Sequence, residues 1–161
     1  MKNQKGFSLV ELLVVVIIIA IIAAIAIPNL LASRRAANEA SAINSLRTVH
    51  SAQATYQAVN GAGTSYGTFV QLGTAGLVDP VLGAAESVVK SGYTVANTLA
   101  ADPFATYCAT ATPVTIGTTG TRVFAVSSPG VVYASTSVNP PANVPSCAAG
   151  VITVNSALPI Q

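Results

Sequence analysis

The most constraining feature of this chain is an unbroken run of sixteen apolar residues, Leu12 to Ile27. Extending the window back to Phe7 adds only Ser8 and Glu11 as polar members. As a helix, residues 7–27 would span about 32 Å, roughly the thickness of one hydrocarbon core. Lys2 and Lys5 stand just before the run and give it a short basic front. That order of basic and apolar regions is also the order of a secretory signal peptide. Two features oppose that simpler reading. The run is longer than a usual signal core, and Glu11 lies within it. A lone carboxylate at membrane depth costs several kcal/mol, on the order of 3, unless a cation or another polar group pairs with it.

Composition sharpens the same point. The chain has 161 residues, 52% hydrophobic and only 7% charged, against about a quarter charged in an ordinary soluble domain. Apolar excess of this kind excludes intrinsic disorder. A formal charge of +2 is too small for a surface built to bind nucleic acid. With one His and two Cys, a dedicated metal cage is not expected, because structural zinc takes four such ligands (about four per site).

Residues 5–11 read Lys-Gly-Phe-Ser-Leu-Val-Glu, followed by the apolar run and then Pro28. Taken together, this resembles the prepilin signature of type IV pilins and of the pseudopilins of type II secretion. The likeness is close over residues 1–60 and looser beyond. It implies a leader, residues 1–6, that a prepilin peptidase removes after Gly6 on the cytoplasmic side of the inner membrane. Phe7 would become the N-terminus and be N-methylated, and Glu11 would steer the subunit into a growing filament. Charge chemistry supports that role: cleavage creates an ammonium group on Phe7, and the amine of an adjacent subunit can neutralise a buried carboxylate. Glu11 is also compatible with a simpler part, an acid favoured by the dipole at a helix N-terminus. Losing the leader removes Lys2 and Lys5, which leaves five basic and five acidic side chains.

After the membrane-length segment, 7–28, the chain stays helix-favouring through residues 29–60, since alanine is frequent and no Gly or Pro follows Pro28 before Gly61. Ile43, Leu46, Val49, Ala52, Tyr56 and Val59 recur at steps of three and four, the spacing of an amphipathic helix face. Asn60-Gly61 is a stop signal. The expected helix therefore runs from Phe7 through Asn60, with Pro28 kinking it by removing a backbone hydrogen bond. In pilin filaments the stretch before this proline is often unwound; here Ala20 stands where many pilins have Gly, which favours helix. Glu39 lies four residues after Arg35, so the spacing offers either a local pair or a contact between subunits. His50 is expected as a solvated or packed side chain. Arg34 and Arg35 after the span make the positive-inside rule weak support for the orientation that the signature implies.

Residues 61–161 change character, being rich in Gly, Ala, Val, Ser and Thr. Residues 67–90 read as a connection with one or two short helical turns. Beyond them, Tyr93-Thr94-Val95 and Ala105-Thr106-Tyr107-Cys108 are strand candidates. Arg122-Val123-Phe124-Ala125-Val126 and Val131-Val132-Tyr133-Ala134 flank Ser127-Ser128-Pro129-Gly130, the best hairpin signal in the chain. The fold class is thus α+β: a long N-terminal helix packed against a C-terminal antiparallel β-sheet head, as in pilins.

A head outside the cytoplasm makes a disulfide the natural state of Cys108 and Cys147, with two reduced thiols as the alternative. In many pilins such a bond staples the last variable loop, here the segment with Pro140, Pro141 and Pro145. No catalytic constellation or cofactor motif is evident. Pseudopilin heads often bind calcium, but Asp102 is the only acid after residue 86, and calcium favours several oxygen ligands. Residues 61–161 carry Lys90 and Arg122 against three acids, so direct nucleic-acid binding is not expected. Serine and threonine hydroxyls either solvate the surface or accept O-linked sugars.

The function implied is a structural subunit, a major pilin that polymerises with itself into a type IV pilus. Its further partners would be the prepilin peptidase, the inner membrane, and an assembly platform with its motor ATPase. The destination would be a cell-surface filament. The alternatives are a major pseudopilin of a type II secretion system, or a secreted adhesive or binding protein with an ordinary signal peptide.

Overall fold

The structure, a computed structural model, describes residues 6–100, 105–136, 146–153 and 157–160. Lys2, Lys5, Asp102, Pro140, Pro141 and Pro145 therefore lie outside the described residues. The chain divides between Arg34 and Arg35 into two compact units. Helix α1, Leu9–Val59, starts in the first unit and supplies its C-terminal half to the second. It begins two residues later than expected and runs without interruption through Pro28.

In the second unit a short helix α2 (Phe69–Thr74) and a single 3-10 turn (Leu82–Ala84) follow α1. These are the two short helical turns that the connection predicts. Thr68 caps α2, accepting from the Gln71 amide while the Gln71 side chain accepts from the Thr68 amide. The strands are β1 (Ser87–Lys90), β2 (Tyr93–Leu99), β3 (Tyr107–Pro113), β4 (Val123–Ser127), β5 (Val132–Ser135), β6 (Ser146–Ala148), β7 (Val151–Thr153) and β8 (Leu158–Pro159). Six of them form an antiparallel sheet in the order β1-β2-β3-β4-β5-β8, while β6 and β7 make a separate hairpin.

Turn chemistry sets these connections. Ser127-Ser128-Pro129-Gly130 closes the expected β4–β5 hairpin, with the Gly130 amide donating to the Ser127 carbonyl at 2.8 Å and Gly130 at a φ of 80°. Strand β1 was not expected, because Ser87–Lys90 sits inside a stretch that reads as a connection. Ser91 and Gly92 hold φ values of 49° and 73°, a left-handed pair that suits a two-residue hairpin and sets Lys90 opposite Tyr93.

The core lies between α1 and one face of the six-stranded sheet. Ala42, Leu46, Val49 and Ala52 of α1 pack with Tyr93 and Val95 of β2, Tyr107 of β3, and Phe124 and Val126 of β4. Strand β2 alternates as a half-buried strand should, with Tyr93, Val95 and Asn97 inward and Thr94, Ala96 and Thr98 half-exposed. Of the helical stripe read from sequence, Leu46, Val49 and Ala52 are buried, Ile43 and Tyr56 are half-buried, and Val59 is exposed. The apolar period thus continues past the surface that covers the helix.

Candidate functional site

Gly6 and Phe7 precede α1 and are exposed, Phe7 to 84%. Ser8 occupies the cap position, and its amide donates to Glu11 Oε2 at 2.8 Å. Glu11 is the third helical residue, the position from which an acid reaches back to the cap amide in a capping box. One carboxylate oxygen therefore satisfies a backbone donor that the helix start would otherwise leave open. Glu11 thus serves its own helix terminus, and its side chain stays exposed.

From Leu9 onward every large apolar side chain of the run is exposed. The helix is long and apolar enough to cross a membrane, and its apolar stretch is unburied. A surface apolar on all sides requires lipid or other helices around it.

Several polar contacts that the sequence does not reveal fasten the second unit to its half of α1, among them Asn38 Nδ2 donating to the Thr119 carbonyl and Ser41 Oγ to Ser91 Oγ, each at 2.9 Å. Glu39, only 7% exposed, accepts from the Thr121 amide at 2.8 Å, the Thr121 hydroxyl at 2.9 Å and Arg122 Nε at 2.7 Å. Burial raises the Glu39 carboxyl, but these hydrogen bonds and the Arg122 charge prevail and hold it below its ordinary value. Fully buried Gln53 clamps Gly67, its Nε2 donating to the Gly67 carbonyl at 2.7 Å and its Oε1 accepting from the Gly67 amide at 2.9 Å. His50 Nδ1 lies 2.6 Å from the hydroxyl of buried Tyr107, so His50 is packed rather than solvated. Burial, and then neighbouring Tyr66, push the Tyr107 phenol far up, and a phenol that keeps its proton can donate to neutral imidazole.

At the sheet's first edge, Lys90 Nζ pairs with Asp79 Oδ2 at 2.5 Å. Asp79 also accepts from the Val81 and Leu82 amides, which fixes the 3-10 turn. Cys108 of β3 and Cys147 of β6 form the expected disulfide, with Cα atoms 5.7 Å apart. It ties the β6–β7 hairpin to the main sheet. Among the described residues no group of three His, Cys, Asp or Glu side chains converges as a metal site.

An apolar, N-terminally capped helix whose second half carries an antiparallel sheet is the architecture expected of the pilin class. Residues 1–27 match the family model described as the prokaryotic N-terminal methylation motif. Over 65 residues, 40% of this chain, the sequence is 43% identical to the type IV wide pilus major component PilA4 of Thermus thermophilus. That stretch covers 50% of PilA4, so the chain spans about half the length of the curated relative it matches. No solved structure matches the chain. Motif and likeness together support a type IV pilin.

Proposed function

We propose that this chain is a structural subunit of a type IV pilus, a major pilin that acts by polymerising. The observation that carries the reading is the methylation motif on residues 1–27, joined to a helix whose apolar surface is unburied and holds one acid, Glu11. In this reading a prepilin peptidase cuts after Gly6 and methylates the Phe7 amine, which keeps its positive charge. The apolar helix then holds the subunit in the inner membrane until an assembly platform, driven by a motor ATPase, moves it into the filament.

The physical exchange is lipid for neighbouring helices. Lipid tails are as apolar as leucine, so leaving the bilayer yields little hydrophobic free energy. Direction must come from close helix packing, from motor work and from charge pairing. Glu11 supplies the pairing: the Phe7 ammonium of an adjacent subunit neutralises it where water is absent. A Glu11 without that partner leaves a carboxylate in apolar surroundings, which disfavours a misplaced subunit. The head stays outside as the filament surface, held to its helix by Glu39, Gln53 and His50. Likeness to a pilus component favours a pilus over a secretion pseudopilus.

The test replaces Glu11 with Ala and examines sheared surface material by electron microscopy. The wild-type chain is expected to form long filaments composed mainly of this protein. The variant should insert in the membrane and leave few or none. Normal filament yield from the variant would refute the assembly role of Glu11, and wild-type cells without such filaments would refute the pilus.

A further inference from the structure

We infer that Arg47 of one copy pairs with Glu86 of an adjacent copy, so that the exposed face of α1 in the second unit docks against the head beside α2. This rests on the reading of the chain as a polymerising subunit. Two ion pairs occur among the described residues, Glu39 with Arg122 and Asp79 with Lys90. In the second unit Arg47 and Glu86 are opposite charges outside any such pair.

Their surroundings match. Arg47 lies on an exposed face of α1 made by Ala40, Asn44, Ser51, Ala54 and Ala58, which recur at steps of four and three with it. An ordinary solvated helix face carries several long charged side chains. This one carries a single charge among small residues, which lets another surface come close to the backbone. Glu86 is half-buried, and its carboxylate makes only long contacts, 3.4 Å from the Val70 amide and 3.4 Å from Asn97 Nδ2. Much of its acceptor capacity is open to the forked donors of a guanidinium. Val70 beside it is exposed and apolar. One surface thus presents a cation among small side chains, and the other an anion beside an apolar one. A chain that repeats itself along a filament brings both surfaces from its own copies.

The experiment is charge exchange in cells whose only copy of the protein is the variant, read as sheared filament mass. Arg47→Glu and Glu86→Arg should each lower the yield by about tenfold or more, through like-charge contact at the interface. Combining the two should restore most of it. Wild-type yield from either single variant, or a double variant no better than the worse single, would overturn the pairing. Because Glu86→Arg can disturb the head itself, a second measurement joins Arg47→Cys with Glu86→Cys in the full chain. An arginine–carboxylate pair holds its Cα atoms too far apart for a direct disulfide, so assembled filaments are treated with a bis-maleimide of matching span. Multimer ladders on gels are expected, and monomer alone would count against the contact. If wild-type filaments form while both measurements fail, the pairing is wrong and the pilus reading stands. If no wild-type filaments form, both fall.

Discussion

Glu39 Oε2 accepts from Arg122 Nε at 2.7 Å and so joins residues 83 apart in sequence, the second half of α1 and the residue preceding β4. The carboxylate also takes the amide and hydroxyl of Thr121. Replacing Glu39 with Ala removes the acceptor from exposed Thr121 and half-exposed Arg122, donors that water can also reach. The expected loss of stability is about 1 kcal/mol, because solvent screens the pair at Arg122 and can satisfy Thr121. Denaturant unfolding of the full chain in detergent reads it directly, and an unchanged midpoint would show that the contact does not hold the head.

The same carboxylate sets the acid limit. Glu39 and Asp79 are both held below their ordinary values of 4.5 and 3.8, the hydrogen bonds and cations outweighing burial. A depressed folded pKa gives stability that is present above the unfolded value and lost as pH falls through the folded one. Stability should therefore decline as pH falls below about 4.5 and continue to decline below 3.8. In Glu39→Gln the first part of that decline should shrink, which thermal melts across the acid range will measure.

At the alkaline end the sign reverses. Burial, and then the Glu39 charge, push Tyr93 up to about 12, and Tyr107 is raised further. These phenols contribute stability below the ordinary tyrosine value of 10.0 and lose it as pH rises through the folded values. Phenolate absorbance at pH 11 should therefore be the same in wild type and Tyr107→Phe. A smaller signal in the variant would mean that Tyr107 ionises with ordinary tyrosines.

Gly130 tests the packing of α1 against the β4–β5 turn. It holds a φ of 80°, and a Cβ there would fall 2.6 Å from His50 Nε2. Gly117 holds a φ of 77° with open space around it. Gly117→Ala should cost about 1 kcal/mol for backbone strain alone. Gly130→Ala adds the collision with His50 and should cost about 1–2 kcal/mol more. Equal losses in the two variants would mean that His50 yields freely.

Contiguous and local features were the legible ones. The apolar run from Phe7 to Ile27 is one uninterrupted signal, and the Pro129-Gly130 turn announced the β4–β5 hairpin beside it. Leu46, Val49 and Ala52 followed from helical spacing, because burial on one face leaves a period. Strand β1 is not legible in the sequence because four residues give too few alternations to register, although Ser91-Gly92 is a turn signal. The contacts of Glu39 with Arg122 and of His50 with Tyr107 join residues brought together only by the completed sheet. Nothing local to Gln53 shows that its amide will serve the backbone of Gly67. At the N-terminus the prepilin likeness named Gly6, Phe7 and Glu11, whereas the bond from the Ser8 amide to Glu11 required the structure.

On the proposed function, residues 1–27 act as a prepilin signal on a subunit that polymerises. Mass spectrometry of the intact protein from sheared surface filaments tests it most directly. An N-terminus at Phe7, heavier by one methyl group and with residues 1–6 absent, is expected. An N-terminus between residues 20 and 30, as an ordinary signal peptide would leave, would contradict it.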